Sequence, residues 1–299
     1  MKVLDNLNYV FSKDNEVVAR IKPGEVLCFN TCDCFARQVK DESFTIDKID
    51  FTKANPTAGP AYIEGAEVGD VIAVDILDIQ VEDQGFACSI PATGILADQA
   101  EMRTRIFKIN DGQVDFNGIK WHIDPMIGVI GLAPAEGEIA CGFAGDHGGN
   151  LDSKKIKKGA RVYLPVRHPG GLLQIGDLHA TMGDGEVSGT GIEVSGQVLV
   201  RVSLIKDFDL RWPVVETEDR WFVNGVGPDF DTAYKNAADE LARLMKDAYP
   251  LDLTDIFIYL SIQGDLEINQ YVHPVEGEMP VVRFSIPKTD YAKDLVRKK

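Results

Sequence analysis

The chain reads as a mainly β protein with a small α/β element near its C-terminal end. Three observations lead there. Short β-branched runs separated by Gly, Pro, Asn or Asp fill most of the first 215 residues. Helical periodicity is clear only after residue 229. Few helices separate the strands, which argues against a parallel α/β sheet. The change in pattern divides the chain into a β-rich region over 1–215 and a smaller α+β region over 216–299, expected to pack together as one compact unit.

The strand signals are VVARI (17–21), VIAVDIL (71–77), RVYLPV (161–166) and QVLVRVSLI (197–205). One local pattern recurs: an apolar residue, a turn with Gly, then a strand. It appears in IKPGEVLCF (21–29), VGDVIAVDI (68–76) and IKKGARVYLPV (156–166). The Gly of each supplies the positive φ that such a turn favours. In FDTAYKNAADELARLMKDAYP, Phe230, Ala233, Tyr234, Ala237, Leu241, Leu244, Met245 and Ala248 recur at helical spacing. Asp229 or Asp231 caps its start, and Pro250 lies past its end. A second helix is expected from Leu253 to about Gln263, followed by a Gly264-Asp265 turn. QYVHPV and PVVRFSIP then return to strand.

Composition narrows the function classes. The 299 residues carry 47 acids against 31 bases, a net charge of −16. Such a chain repels phosphate backbones, so nucleic acid is excluded as the expected partner. No stretch approaches the roughly 20 apolar residues of a membrane helix. MKVLDNLNYVFSKDNE lacks the apolar centre of a signal peptide, so the expected location is cytoplasmic. The five cysteines are odd in number, and the spacing of Cys28, Cys32 and Cys34 is not that of a zinc ribbon. They read as buried thiols. Neither a G-x-S-x-G elbow, nor a phosphate-binding P-loop, nor a dinucleotide fingerprint is present.

The chemistry concentrates in GDLHATMGDGEVSGTGIE (176–193), with two Asp, two Glu and one His among five glycines and no Lys or Arg. In a strand Asp177 and His179 point to one face and can reach one ion. Glu193 follows after a Gly-rich segment that can fold back. Together they form a mixed oxygen and nitrogen ligand set, suited to zinc or a similar divalent metal at a catalytic site. Asp184 and Glu186 are candidates for the general base or for support of the metal ligands. A second cluster, GFAGDHGGNLD (142–152), offers His147, Asn150 and Asp152, with Gly148 and Gly149 allowing close backbone approach to a small ligand. Asp33, in NTCDCF, is either paired with a base or bound to a metal. His122, His168 and His273 read as structural.

GVIGLAPAEGEIACGFAGDHGGNLD, GDLHATMGDGEVSGTGIE and NPTAGPAYIEGAEVGDVIAVDI together resemble the acetamidase/formamidase family, in order, from about residue 20 to residue 286. The chain resembles a short form of it. The resemblance implies β-sandwich-like sheets, a metal-assisted site, and hydrolysis of short linear amides to ammonia and a carboxylate. It places site residues at Asp33, Asp177, His179 and Glu193, with Asn150 and Asp152 in the GGNLD run. The expected scheme has a divalent ion, Zn2+ first with Ca2+ as a possible second ion, held by Asp33, Asp177, His179 and Glu193. Glu186 or Asp184 moves the proton. Asn150 and the N–H groups of Gly148 and Gly149 hold the oxyanion, with His147 and Asp152 beside the substrate. The alternatives are a metal-binding β protein without catalysis, a Cys-dependent amidase using Cys32, Cys34 or Cys141, and a hydrolase of a different C–N bond. Exposed sheet edges suggest a homodimer.

Overall fold

The structure is a computed structural model and describes residues 1–90, 93–272, 279–290 and 292–297. Two nine-stranded sheets face each other. The first runs, edge to edge, Lys2–Leu4, Val26–Thr31, Gly196–Ile205, Val71–Val81, Arg161–Pro165, Val214–Glu216, Arg220–Val226, Val281–Pro287 and Asp265–Gln270. It crosses the 215/216 boundary without a break, because Val214–Glu216 pairs with Arg220–Val226. The second sheet is centred on Leu173–His179, which is flanked by Met126–Gly131 on one side and by Glu193–Val194 and Thr57–Ile63 on the other.

Alternation builds the core between them. In Gly196–Ile205, Val198, Val200 and Val202 face inward while Gln197 and Arg201 face out. Ile127, Ile175 and Leu178 of the second sheet meet this face in one continuous apolar core. The run VIAV is buried on both sides. Ile72 and Val74 join the inter-sheet core, whereas Val71 and Ala73 face the helices on the outer side of the first sheet. The mainly β, sandwich-like architecture is therefore the one expected.

The three glycine turns hold as read: Gly24, Gly69 and Gly159 all have positive φ, at 97°, 91° and 89°. Helix α1 (Phe230–Ala248) is capped by Asp229, whose carboxylate accepts the Thr232 N–H at 2.7 Å. Helix α2 (Leu253–Gln263) has the expected bounds. The chain returns to strand earlier than expected, at Asp265–Gln270. Residues 273–275 of QYVHPV, His273 among them, lie outside the described residues. No helix among the described residues is long and apolar enough to cross a membrane.

Candidate active site

The centre of the second sheet carries the chemistry. Asp177 and His179 end the Leu173–His179 strand, and Glu193 is the register partner of His179 on the next strand. All three are buried. His179 Nε2 lies 3.2 Å from Glu193 Oε1, 3.5 Å from Asp177 Oδ1 and 3.9 Å from Glu186 Oε1. Glu186 arrives from the loop between these strands, and Asp152 from the segment after Gly148–Asn150. Donor atoms of Asp152, His179 and Glu186 lie within 4.8 Å of one another, as do those of Cys34, Asp177 and Glu193.

Backbone conformation points these acids inward. Asp152, Asp177 and Glu186 all lie in the left-handed region, with φ of 44°, 55° and 46°. Such residues are uncommon outside glycine and carry a conformational cost, which the surrounding strands must hold. Opposite Asp177 the register places Gly128, the middle residue between the Ile127–Leu178 and Val129–Gly176 pairs. A Cβ there would come within 2.3 Å of Asp177 Oδ2 and 2.7 Å of Asp152 Oδ1. The missing side chain makes room for two carboxylates.

These groups line a cavity of about 80 Å³, closed on its apolar side by Phe35, Phe51 and Ile90. At roughly 10–15 Å³ per water, it holds a handful of waters or one small molecule. Asn150 and Asn55 complete the polar wall. The Asn55 amide donates to Asn150 Oδ1 at 3.1 Å, and the Asn55 N–H donates to the Cys34 carbonyl at 2.6 Å.

The electrostatics are unbalanced. Burial would lower the pKa of His179, but the carboxylates of Glu193 and Asp177 outweigh it and push it well up. Burial and the charge of Asp152 push Glu186 well up. Burial also raises Glu193, to about 7. Asp177 Oδ1, Glu193 Oε2 and His179 Nδ1 are buried and have no hydrogen-bond partner. One imidazole faces several carboxylates, and the orphaned oxygens and nitrogen are what a bound cation would satisfy. The donor set fits a divalent metal such as zinc.

Not every expected residue enters the cavity. Asp33 does not. The Val26–Thr31 strand has ended, and the Asp33 carboxylate accepts the N–H of Phe35 and of Arg37, each at 3.0 Å. This tight turn, with Ala36 and Arg37 left-handed, brings the neighbouring Cys34 into the cavity instead. Asp184 also turns away. Its carboxylate binds Arg283 Nη2 at 2.8 Å and Lys154 Nζ at 2.7 Å. Burial would raise its pKa, and these two cations hold it below the usual range. The base missing from the 176–193 loop thus comes partly from the far end of the chain.

Gly148 and Gly149 sit in a strand paired on both sides, away from the cavity lining. His147 is buried beside Phe11, edge to face at 5.0 Å between ring centroids. Burial lowers its pKa to about 4, so it is neutral near pH 7. Asn150 and Asp152 do line the cavity. Asn55 is not singled out by the sequence, and Cys34 is named there only as one of three candidate nucleophiles. The only signals were an Asp flanked by two Cys and an Asn before Pro, both of which suit a turn as well as a site.

Residues 5–140 and 143–258 match the profile of the acetamidase/formamidase family. The chain is 29% identical over 261 residues to a formamidase of Methylophilus methylotrophus, an alignment covering 65% of this chain and 63% of that one. It spans about 63–65% of the length of the curated relatives it matches. Among solved structures, an acetamidase of Bacillus halodurans superposes with a TM-score of 0.92 at 36% identity, covering 95% of this chain and 97% of the other. An acetamidase/formamidase of Thermoanaerobacter tengcongensis gives 0.91 at 39% identity, covering 96% and 95%. With its two sheets, its buried acid cluster and a profile match over most of its length, the chain belongs to the acetamidase/formamidase family.

Proposed function

We propose that the chain hydrolyses short linear amides, formamide- or acetamide-like, to ammonia and a carboxylate at the Asp177–His179–Glu193 cluster. The observation that carries this reading is the arrangement of Asp177, Glu186 and Glu193 around His179 Nε2 in a small cavity. Asp177, His179 and Glu193 would hold a divalent ion, Zn2+ first. When bound, it supplies Lewis acidity for an amide carbonyl and for water.

The chain's own residues supply the rest. Glu186 is buried with its oxygen toward His179, and its raised proton affinity suits a group that takes a proton from water and returns it to the departing nitrogen. Asn150, braced by the Asn55 amide, orients the substrate through its side-chain amide. Phe35, Phe51 and Ile90 give the cavity an apolar wall, and its small volume suits a short acyl group. Cys34 Sγ lies within 4.8 Å of oxygens of Asp177 and Glu193, and burial together with those two charges pushes its thiol well up, so a Cys nucleophile is disfavoured. The reading includes a homodimer.

The test is ammonia release from formamide, acetamide, propionamide and urea, with protein as isolated, after chelation, and after zinc is restored. Turnover that chelation removes and zinc restores supports the proposal. Turnover indifferent to chelation, or none on any substrate by metal-loaded protein, overturns it.

A further inference from the structure

Helix α2 buries little of what it carries. Of its eleven residues only Ile256 and Leu260 are buried. Leu253, Phe257, Ile258 and Ile262 are exposed by 63%, 74%, 52% and 68%, and Asp255 is the helix's one charged residue. The neighbouring Asp265–Gln270 strand is the last in its sheet, and among the described residues its outer edge is met only at its end, where Gly185 bridges Gln270. Leu266 and Ile268 of that strand pair in register with Phe284 and Val282, which belong to the core beneath the helices. They therefore extend the helix-bearing face to the sheet's edge, where both stay partly open.

We infer that this face, made by α2 with Leu266 and Ile268, is where a second copy of the chain docks. The inference rests on the reading of the protein as a homodimer and names the surface. Three features favour a second copy. The first is area: six apolar residues exposed by 36–74% form a patch on the order of several hundred Å², a large share of the roughly 800 Å² that each partner of a standard interface contributes. The second is shape. Phe257 stands between two apolar hollows, one of about 520 Å³ bordered by Ile262 and Phe284, the other of about 640 Å³ bordered by Leu253 and Ala242. A surface with both a projecting ring and receiving hollows meets itself across a two-fold axis. The third is charge. Lys235, paired with Asp239 on its own helix at 2.6 Å, lies on the rim with Asp231, so the border carries both signs and does not repel its own copy as a single-sign rim would.

The experiment is sedimentation velocity on the full chain across a range of micromolar concentrations, with amide turnover and far-UV circular dichroism in parallel. The wild type is expected at the mass of two chains. Phe257→Asp combined with Ile262→Lys is expected at the mass of one, with its circular dichroism unchanged. Phe257→Ser, a milder change at a side chain that is three-quarters exposed, covers the case in which the double variant fails to fold. It is expected to weaken dimerisation at least tenfold. A dimer that neither variant weakens overturns this face but leaves the homodimer standing. A wild type that stays monomeric throughout overturns both.

Discussion

His179 and Glu193 face each other as register partners on adjacent strands, with Nε2 and Oε1 3.2 Å apart. The pair is set by the sheet and not by a mobile loop. Glu193 Oε1 also accepts the Gly191 N–H at 2.9 Å, which fixes the carboxylate's near oxygen and leaves Oε2 without a partner. The Nε2 shared with Asp177 and Glu186 means that one side chain must balance several acids. Buried like charges raise each other's proton affinity unless a cation intervenes.

A ligand that binds only the folded state stabilises it by mass action, by about 2.7 kcal/mol at a hundred times its dissociation constant. Zinc added to chelated protein is therefore expected to raise Tm by several degrees. The same addition to His179→Ala should give no rise, and that variant should retain little metal by elemental analysis. Calorimetry with and without chelator checks both. An equal rise in the two proteins would remove His179 from the metal site.

Glu186→Gln keeps the shape of the side chain and removes a carboxyl group that burial and Asp152 make costly to ionise. At neutral pH the metal-free variant is expected to melt higher than metal-free wild type, because folding then no longer has to bury a carboxylate beside Asp152 or take up a proton to neutralise it. Its turnover is expected to fall by about 10²–10⁴-fold, the usual contribution of a positioned proton carrier. Stability and kcat measured on one preparation test this. A variant that is both more stable and fully active would assign Glu186 to electrostatic balance alone.

Gly128→Ala places a methyl where two carboxylates now sit, 2.3 Å from one and 2.7 Å from the other. Overpacking of this kind costs about 1–3 kcal/mol. Turnover is expected to drop by at least about 100-fold, since a displacement near 1 Å at a catalytic group has that effect. Val129→Ile, one residue on, is the control. Val129 packs with Phe11 and Cys141, none of which lines the cavity, so its overpacking tests stability without placing an atom against the acids. If both variants lose activity equally, Gly128 has no special part in shaping the site.

The sequence made the sheet-borne half of the site legible. Asp177 and His179 are two residues apart in a strand, and that spacing alone puts them on one face. Alternation likewise marked the long strands, and helical spacing marked the first helix. What it did not reveal depends on local hydrogen bonds that override the strand pattern. NTCDCF alternates like a strand, yet Asp33 closes a turn on Phe35 and Arg37, which exchanges the expected Asp for Cys34. Asp184 and Glu186 alternate as well, but Arg283, 99 residues away, takes Asp184 out of the site. No local reading of GDGE contains that partner. The placement of Asn55 depends in the same way on contacts with Asn150 and Cys34 that are distant in sequence.

Asp33 therefore gives a clean separation between a metal ligand and a turn former. An amide oxygen can accept the same N–H bonds as a carboxylate oxygen, although more weakly. Asp33→Asn is expected to keep bound metal and to keep kcat within about threefold, since a shift that small corresponds to well under 1 kcal/mol. Asp33→Ala removes the acceptor and leaves the Phe35 and Arg37 N–H groups unsatisfied. It is expected to cost about 1–2 kcal/mol, like the loss of a helix cap. Because the turn also carries Cys34 and Phe35 into the cavity wall, kcat/KM should fall with it. Denaturant unfolding, elemental analysis and turnover on the two variants decide the matter. If Asp33→Asn loses metal and activity as fully as His179→Ala, the carboxylate is needed as a charge at the metal and the turn is secondary. If Asn is tolerated and Ala is not, Asp33 acts by holding the loop.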